Sequence, residues 1–182
     1  NPKFVALDLI SQSEHSSDTF CYLITTSQKL AKSVSNILSE LVPKVQRTKL
    51  VKSSLTNNGF IAICKNKSDM IKLSNILAPE HLQIMTKNPE SISSKVTTSG
   101  LILIGNNTPS SASDYVLGSN HILPTNGFGK IRGSLSILDF IKVNTQVTCS
   151  KQSLSKISKH LKVLTSSEGL DNHYEAIRGR LE

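Results

Sequence analysis

Short runs of strand composition alternate with segments of helical period along the first part of the chain, and this alternation limits the fold more than any other feature. The stretch Thr19 to Thr26 (TFCYLITT) is rich in β-branched and aromatic residues and predicts a buried strand. Phe60 to Cys64, Leu82 to Met85 and Leu101 to Ile104 predict three more. Phe4 to His15 carries apolar residues at 4, 5, 7, 9 and 10, a helical pattern. Ser27 is placed to cap a helix running to about Val42, where Pro43 stops it. A further helix over 47–57 ends at Asn57-Asn58-Gly59, and Ser68 is read as the cap of one running to about Leu77. A helical turn is expected near Pro89 to Lys95. Strands alternating with helices argue for an α/β layered domain with a largely parallel sheet.

Residues 106–134 break that rhythm. They are rich in Asn, Gly, Ser and Pro, and a loop this long inside a compact domain is usually functional or disordered. Beyond it, Leu135 to Ile141 leads into a predicted short strand, Val143 to Thr148. Two helical stretches follow, about 151–164 and 170–180, divided by Glu168-Gly169. The expected organisation is a lobe over 1–137 and a helical tail over 138–182, with no internal repeat.

Composition narrows the function classes. At 182 residues the chain accommodates one ordinary domain plus an appendage. Trp is absent and aromatics make up 4%, so Leu, Ile and Val must build the interior. The net charge of +8 raises the question of nucleic acid, but the basic residues are mostly Lys and are scattered. The densest set, Lys151, Lys156, Lys159 and Lys162, repeats at helical spacing in its later members and reads as a solvated helix face. No nucleic-acid recognition motif accompanies it. Cys21, Cys64 and Cys149 form neither a pairable set nor a metal-type Cys-x-x-Cys, and the first two sit in apolar runs as expected core residues. No apolar run is long enough to span a bilayer, and a reduced cytoplasm is the expected compartment. The opening Asn1-Pro2-Lys3, without Met, suggests a piece of something longer.

Four constellations have the residue types that chemistry needs. In Ser11-Gln12-Ser13-Glu14-His15, a helix would project Gln12 and His15 from one face, so that an amide oxygen and an imidazole approach one cation. The plainer reading is a solvated histidine at a helix end. In Ala78-Pro79-Glu80-His81-Leu82, adjacent acid and imidazole groups address one site only from a turn, which Pro79 favours. Such a pair offers two bases of different resting pKa for stepwise proton transfer; otherwise it is a polar turn. The long loop contributes Asp114, a metal ligand or histidine orienter, and His121, a hydrogen-bond donor to substrate. In Glu168-Gly169-Leu170 with His173, Gly169 also reads as a helix stop and His173 as a surface residue.

Taken together, DLISQSEH (8–15), ILAPEHLQIMT (76–86), GNNTPSSASDYVLGSNHILPT (105–125), GSLSILDFIK (133–142) and EGLDNHYEAIRGRL (168–181) resemble the successive signature blocks of the histidinol dehydrogenases. The resemblance implies the carboxy-terminal part of an enzyme that oxidises L-histidinol through L-histidinaldehyde to L-histidine, with two NAD+ and a bound zinc. It implies zinc ligands at Gln12, His15, Asp114 and His173, which would also anchor the substrate. It makes His81 the base for the alcohol proton and Glu80 the activator of water, with Glu168 and His121 contacting substrate. It further implies incomplete Rossmann-like lobes and an intertwined homodimer in which the tail crosses to the second copy. Members of the family are much longer, and the resemblance implies that the NAD-binding lobe, amino-terminal to the SQxEH helix, is missing; Gly127-Phe128-Gly129 lacks the third glycine of a dinucleotide fingerprint and follows no clear strand. The isolated chain is then expected to be inactive. The alternative is a noncatalytic zinc-binding or scaffolding module derived from this enzyme.

Overall fold

The computed structural model describes residues 1–182, which divide into two compact units, Asn1–Asp139 and Phe140–Glu182. In the first unit, α1 (Pro2–Ser13) starts from Asn1, whose side chain accepts from the Lys3 N–H. Pro2 occupies the first turn, where its missing donor costs no hydrogen bond. The chain then forms β1 (Tyr22–Thr25) and α2 (Gln28–Leu41), the latter capped by Ser27 Oγ accepting from the Leu30 N–H at 3.1 Å. Pro43 lies within a single 3-10 turn that ends α2. Next come α3 (Thr48–Asn57), β2 (Phe60–Ile63) and α4 (Lys67–Leu77). The unit continues with β3 (His81–Ile84), α5 (Glu90–Ser93), β4 (Leu101–Ile104) and α6 (Ser110–Ser113).

Several expectations are corrected. The cap of α4 is Asn66, not Ser68: Asn66 is extended, its Oδ1 accepts from the Asp69 N–H at 3.0 Å and its Nδ2 donates to the Asp69 carboxylate. That reciprocal pair satisfies an orphan donor two residues earlier than Ser68 could. The strands do pair in parallel, β1 with β2 and β3 with β4, but as two separate two-stranded sheets instead of one. Periodicity reveals a strand and says little about its partner. β3 begins at His81, one residue before the predicted run, and β1 is shorter than the TFCYLITT run. Cys64 follows β2 half-buried and is not a core residue, whereas Cys21 is buried, which pushes its thiol up to about 12 and leaves it inert.

The interior is aliphatic, as the composition requires. Val5, Ala6 and Val34 form one cluster between α1 and α2, and Ile10, Val42 and Val51 form a second that reaches α3. Ile84, Ile92 and Val96 pack under β3 and α5. The segment 106–134 is irregular but tied down. Asn120 Nδ2 donates to the Leu135 carbonyl at 2.9 Å, and the Leu135 N–H donates to the Ile122 carbonyl at 3.0 Å.

In the second unit the predicted strand Val143 to Thr148 does not form; residues 141–150 are exposed and irregular, with no neighbouring strand to pair with. Ser150 caps α7 (Lys151–Ser167) by accepting from the Ser153 N–H at 3.1 Å. Gly169, at φ +70, ends it: the Leu170 N–H donates to the Thr165 carbonyl at 2.8 Å and the Gly169 N–H to that of Ser166 at 3.2 Å. α8 (Asp171–Arg178) packs back on α7, and the Lys162 ammonium stands 5.6 Å from the Tyr174 ring centre. No helix is long and apolar enough to cross a membrane.

Candidate functional site

The last turn of α1 sets the first two groups. The helix ends at Ser13, yet the His15 N–H still donates to the Gln12 carbonyl at 3.3 Å, so the chain keeps turning. The buried Ser13 bonds back to the Ile10 carbonyl at 2.8 Å and points into the core. Gln12 and His15 instead face a cavity of about 310 Å³.

Asp114 reaches the same cavity from a different element. It ends α6, which packs against α1. Its neighbour Ser113 is fully buried, donates to the Ser110 carbonyl at 2.6 Å and offers its own carbonyl to Ser119 Oγ at 2.8 Å. These bonds hold an otherwise irregular loop in one shape. Gln12, His15 and Asp114 thus line one cavity, together with Ser111, Tyr115 and Arg47.

Glu80 and His81 are positioned by the exit from α4. Ala78 closes that helix in the left-handed region (φ 47) while buried, which turns the chain into Pro79. The Gly100 N–H then donates to the Pro79 carbonyl at 3.0 Å and the Leu101 N–H to that of Glu80 at 2.8 Å. A Cβ on Gly100 would stand 2.8 Å from the Glu80 carbonyl oxygen and 2.9 Å from Pro124 Cδ, so only glycine lets the two chains approach this closely. The outcome is one contact that matters: His81 Nε2 lies 3.3 Å from Asp114 Oδ1, with both side chains mostly buried. A proton on Nε2 donates to the carboxylate and leaves Nδ1 with a free lone pair.

The remaining predicted residues are placed elsewhere. Glu80 is half-buried and its carboxylate makes no ion pair, and His121 is exposed in the long loop. Glu168 and His173 belong to the second unit, at the end of α7 and within α8. Arg47, Tyr115 and Ser111 line the cavity but carry no signal in the sequence that would have selected them. Asp8 was legible: it stands four residues before Gln12, on the same helical face, amid apolar residues. Burial raises its carboxyl above the ordinary range, an effect that the nearby Gln83 amide only partly offsets.

The donor set fits a borderline metal such as zinc. No three His, Cys, Asp or Glu side chains converge as a metal group, but the cavity is lined by one imidazole, His15, two carboxylates, Glu14 and Asp114, and one amide, Gln12. The Gln12 amide nitrogen is buried without a partner, an unfavourable arrangement that a half-turn of the amide relieves by presenting oxygen to a cation. Gly127-Phe128-Gly129 does not form a phosphate cradle. Gly127 makes a turn at φ +80, and Gly129 packs so tightly on the Thr98 carbonyl that a Cβ would lie 2.2 Å from its oxygen.

Comparison with known proteins finds relatives over the whole length of the chain. The chain is 37% identical over 182 residues to a histidinol dehydrogenase of Methanocaldococcus jannaschii and 38% identical over 182 residues to one of Campylobacter jejuni. All of this chain is covered in both comparisons, and it spans 42% of the length of each relative. The crystal structure of the histidinol dehydrogenase of Elizabethkingia anophelis superimposes with a TM-score of 0.91 at 31% identity, covering all of this chain and 42% of that one. The family model for histidinol dehydrogenase matches residues 1–181, and the chain belongs to that family.

Proposed function

We propose that these residues are the zinc- and substrate-binding part of an NAD-dependent histidinol dehydrogenase, which oxidises L-histidinol through L-histidinaldehyde to L-histidine in the cytoplasm. The observation that carries this reading is the convergence of Gln12, His15 and Asp114 on one cavity, with Asp114 also bonded to His81. Gln12, His15 and Asp114 would hold zinc together with His173. The metal, when bound, supplies a positive centre that anchors the amine and imidazole of the substrate.

Every proton step falls to side chains of this chain. His81, oriented through one nitrogen by Asp114, takes the proton of the alcohol on the other as the carbon loses its hydride. Glu80 removes a proton from the water that adds to the aldehyde, and the former carbonyl oxygen takes up a proton to give the hydrate; loss of a second hydride to NAD+ and of a hydroxyl proton to His81 then leaves the carboxylic acid. Glu168 suits the cationic amine or the imidazole N–H of the substrate, and His121 supplies a second donor. The hydride acceptor is a nicotinamide whose binding residues belong, in this reading, to the rest of the family's length. The 182 residues alone then give no NADH from histidinol. We further propose a homodimer in which Glu168 and His173 serve the second copy. The absence of any buried residue in 140–182 supports that role.

The test is equilibrium dialysis of zinc with and without histidinol, using the unaltered chain, His15→Ala and His173→Ala. Stoichiometric zinc that histidinol tightens, and that either substitution weakens by roughly 100-fold or more, is the expected result. Zinc binding indifferent to His15 removes the metal site from the reading. Binding indifferent to His173 alone removes the second unit from the ligand set.

A further inference from the structure

Arg47 is the one guanidinium on the cavity that gathers Gln12, His15 and Asp114. It stands directly before α3 in the left-handed region, at φ 55 and ψ 30. For a non-glycine residue that conformation is uncommon, and such strain collects where function requires it. Two carboxylates, Glu14 and Asp114, line the same cavity, yet Arg47 forms an ion pair with neither. Asp114 is bonded to His81 instead.

Arg47 is exposed and paired with neither carboxylate, so its guanidinium is free to take a further anion that enters the cavity. The proposed reaction creates one: the substrate is neutral at its reacting carbon, and the product bears a carboxylate there. A guanidinium matches a carboxylate with two parallel N–H···O bonds, a geometry that the alcohol and the aldehyde lack. Resting on the function proposed above, we infer that Arg47 receives the carboxylate of the oxidised product and thereby separates product from substrate in affinity. Arg47 is in this view a specificity residue for the last species of the reaction, outside the metal ligands and the Glu80–His81 pair.

Three ligands that share the imidazole and amine, but differ in the third group, test this directly. L-histidine carries the carboxylate, L-histidinol carries the alcohol, and histamine carries neither. Calorimetric titration of the full zinc-loaded chain with each ligand is compared across the unaltered protein, Arg47→Gln and Arg47→Lys. Loss of a charge-assisted pair corresponds to about 10- to 100-fold in affinity, so histidine binding should fall by that factor in Arg47→Gln. Arg47→Lys should recover part of it, since it restores the charge without the fork. Histamine and histidinol should bind all three proteins within about twofold, the ordinary scatter of neutral surface changes. Unchanged histidine affinity in Arg47→Gln overturns the inference, and so does a fall shared by all three ligands, which would make Arg47 a structural residue. Those two results leave the proposed function standing. If the unaltered protein binds neither histamine nor histidine, the proposed function fails and takes this inference with it.

Discussion

Residues 1–139 bury three aliphatic clusters, whereas residues 140–182 bury no side chain at all. Both regions have well-formed helices with proper ends: Ser27 caps α2 as Ser150 caps α7, and Gly169 closes α7 in the usual left-handed turn. Local signals are therefore equally good in the two. The difference lies in what each helix packs against. Val34 of α2 is fully covered, while Leu154, Ile157, Leu161 and Leu164 form a stripe along α7 that stays half-covered or exposed. Capping and periodicity fix a helix locally, but most of its stability comes from the surface that covers its apolar face.

The largest expected effect follows from that difference. Residues 140–182 alone should show weak helicity and a broad thermal transition, because a hairpin of two short helices without a core is marginal in water. Residues 1–139 should unfold cooperatively. Circular dichroism with denaturant titration measures both, and a sharp transition of the isolated 140–182 segment would break the comparison.

A smaller effect sharpens it at single positions. Val51 is fully buried in the cluster with Ile10 and Val42, and Val51→Ala should cost about 2 kcal/mol in urea denaturation. Ile157, which is 45% exposed on α7, should cost less than about 1 kcal/mol when changed to alanine. Equal costs would mean that the second unit is covered by something its own residues do not provide.

The same contrast explains what was legible in the sequence. Helices and strands of the first unit follow from period and caps, so α1, α2, α3, β2 and β4 lie close to where the residues predict them. The strand at Val143 to Thr148 was misread because β-branched residues record a tendency, and a strand exists only beside another strand. The division into two parallel pairs depends on long-range packing that no local window contains. Within the candidate site, Gln12 with His15 was visible as a helix-face spacing and Glu80-His81 as a turn after proline. The bond between His81 and Asp114 spans 33 residues, which no local window contains; the residues alone suggest Asp114 as a metal ligand or histidine orienter and do not say which histidine. Arg47 was silent, since nothing marks a left-handed arginine in a run of basic residues.

The last effect is the smallest and concerns acidity. Asp8 lies on α1 in the unit that has a core, and burial raises its carboxyl above the ordinary value for an aspartate. A raised carboxyl means that the folded state holds the proton more tightly than the unfolded chain does. The associated stability is present in acid, below the unfolded value, and is lost as pH rises through the folded value. At neutral pH the half-buried carboxylate is ionised and disfavours the fold, so Asp8→Asn should unfold at a higher temperature there. The advantage of Asp8→Asn should shrink as the pH falls through the folded value, where the native aspartate takes up its proton. Asp139 supplies the opposite case: its exposed carboxyl is lowered, first by the Ser136 N–H, so its contribution is present above the unfolded value and lost as pH falls. Thermal midpoints of the parent, Asp8→Asn and Asp139→Asn across this range should therefore diverge in opposite directions. Parallel curves for the parent and Asp8→Asn would remove burial as the cause, and with it the link between core and acidity in the first unit.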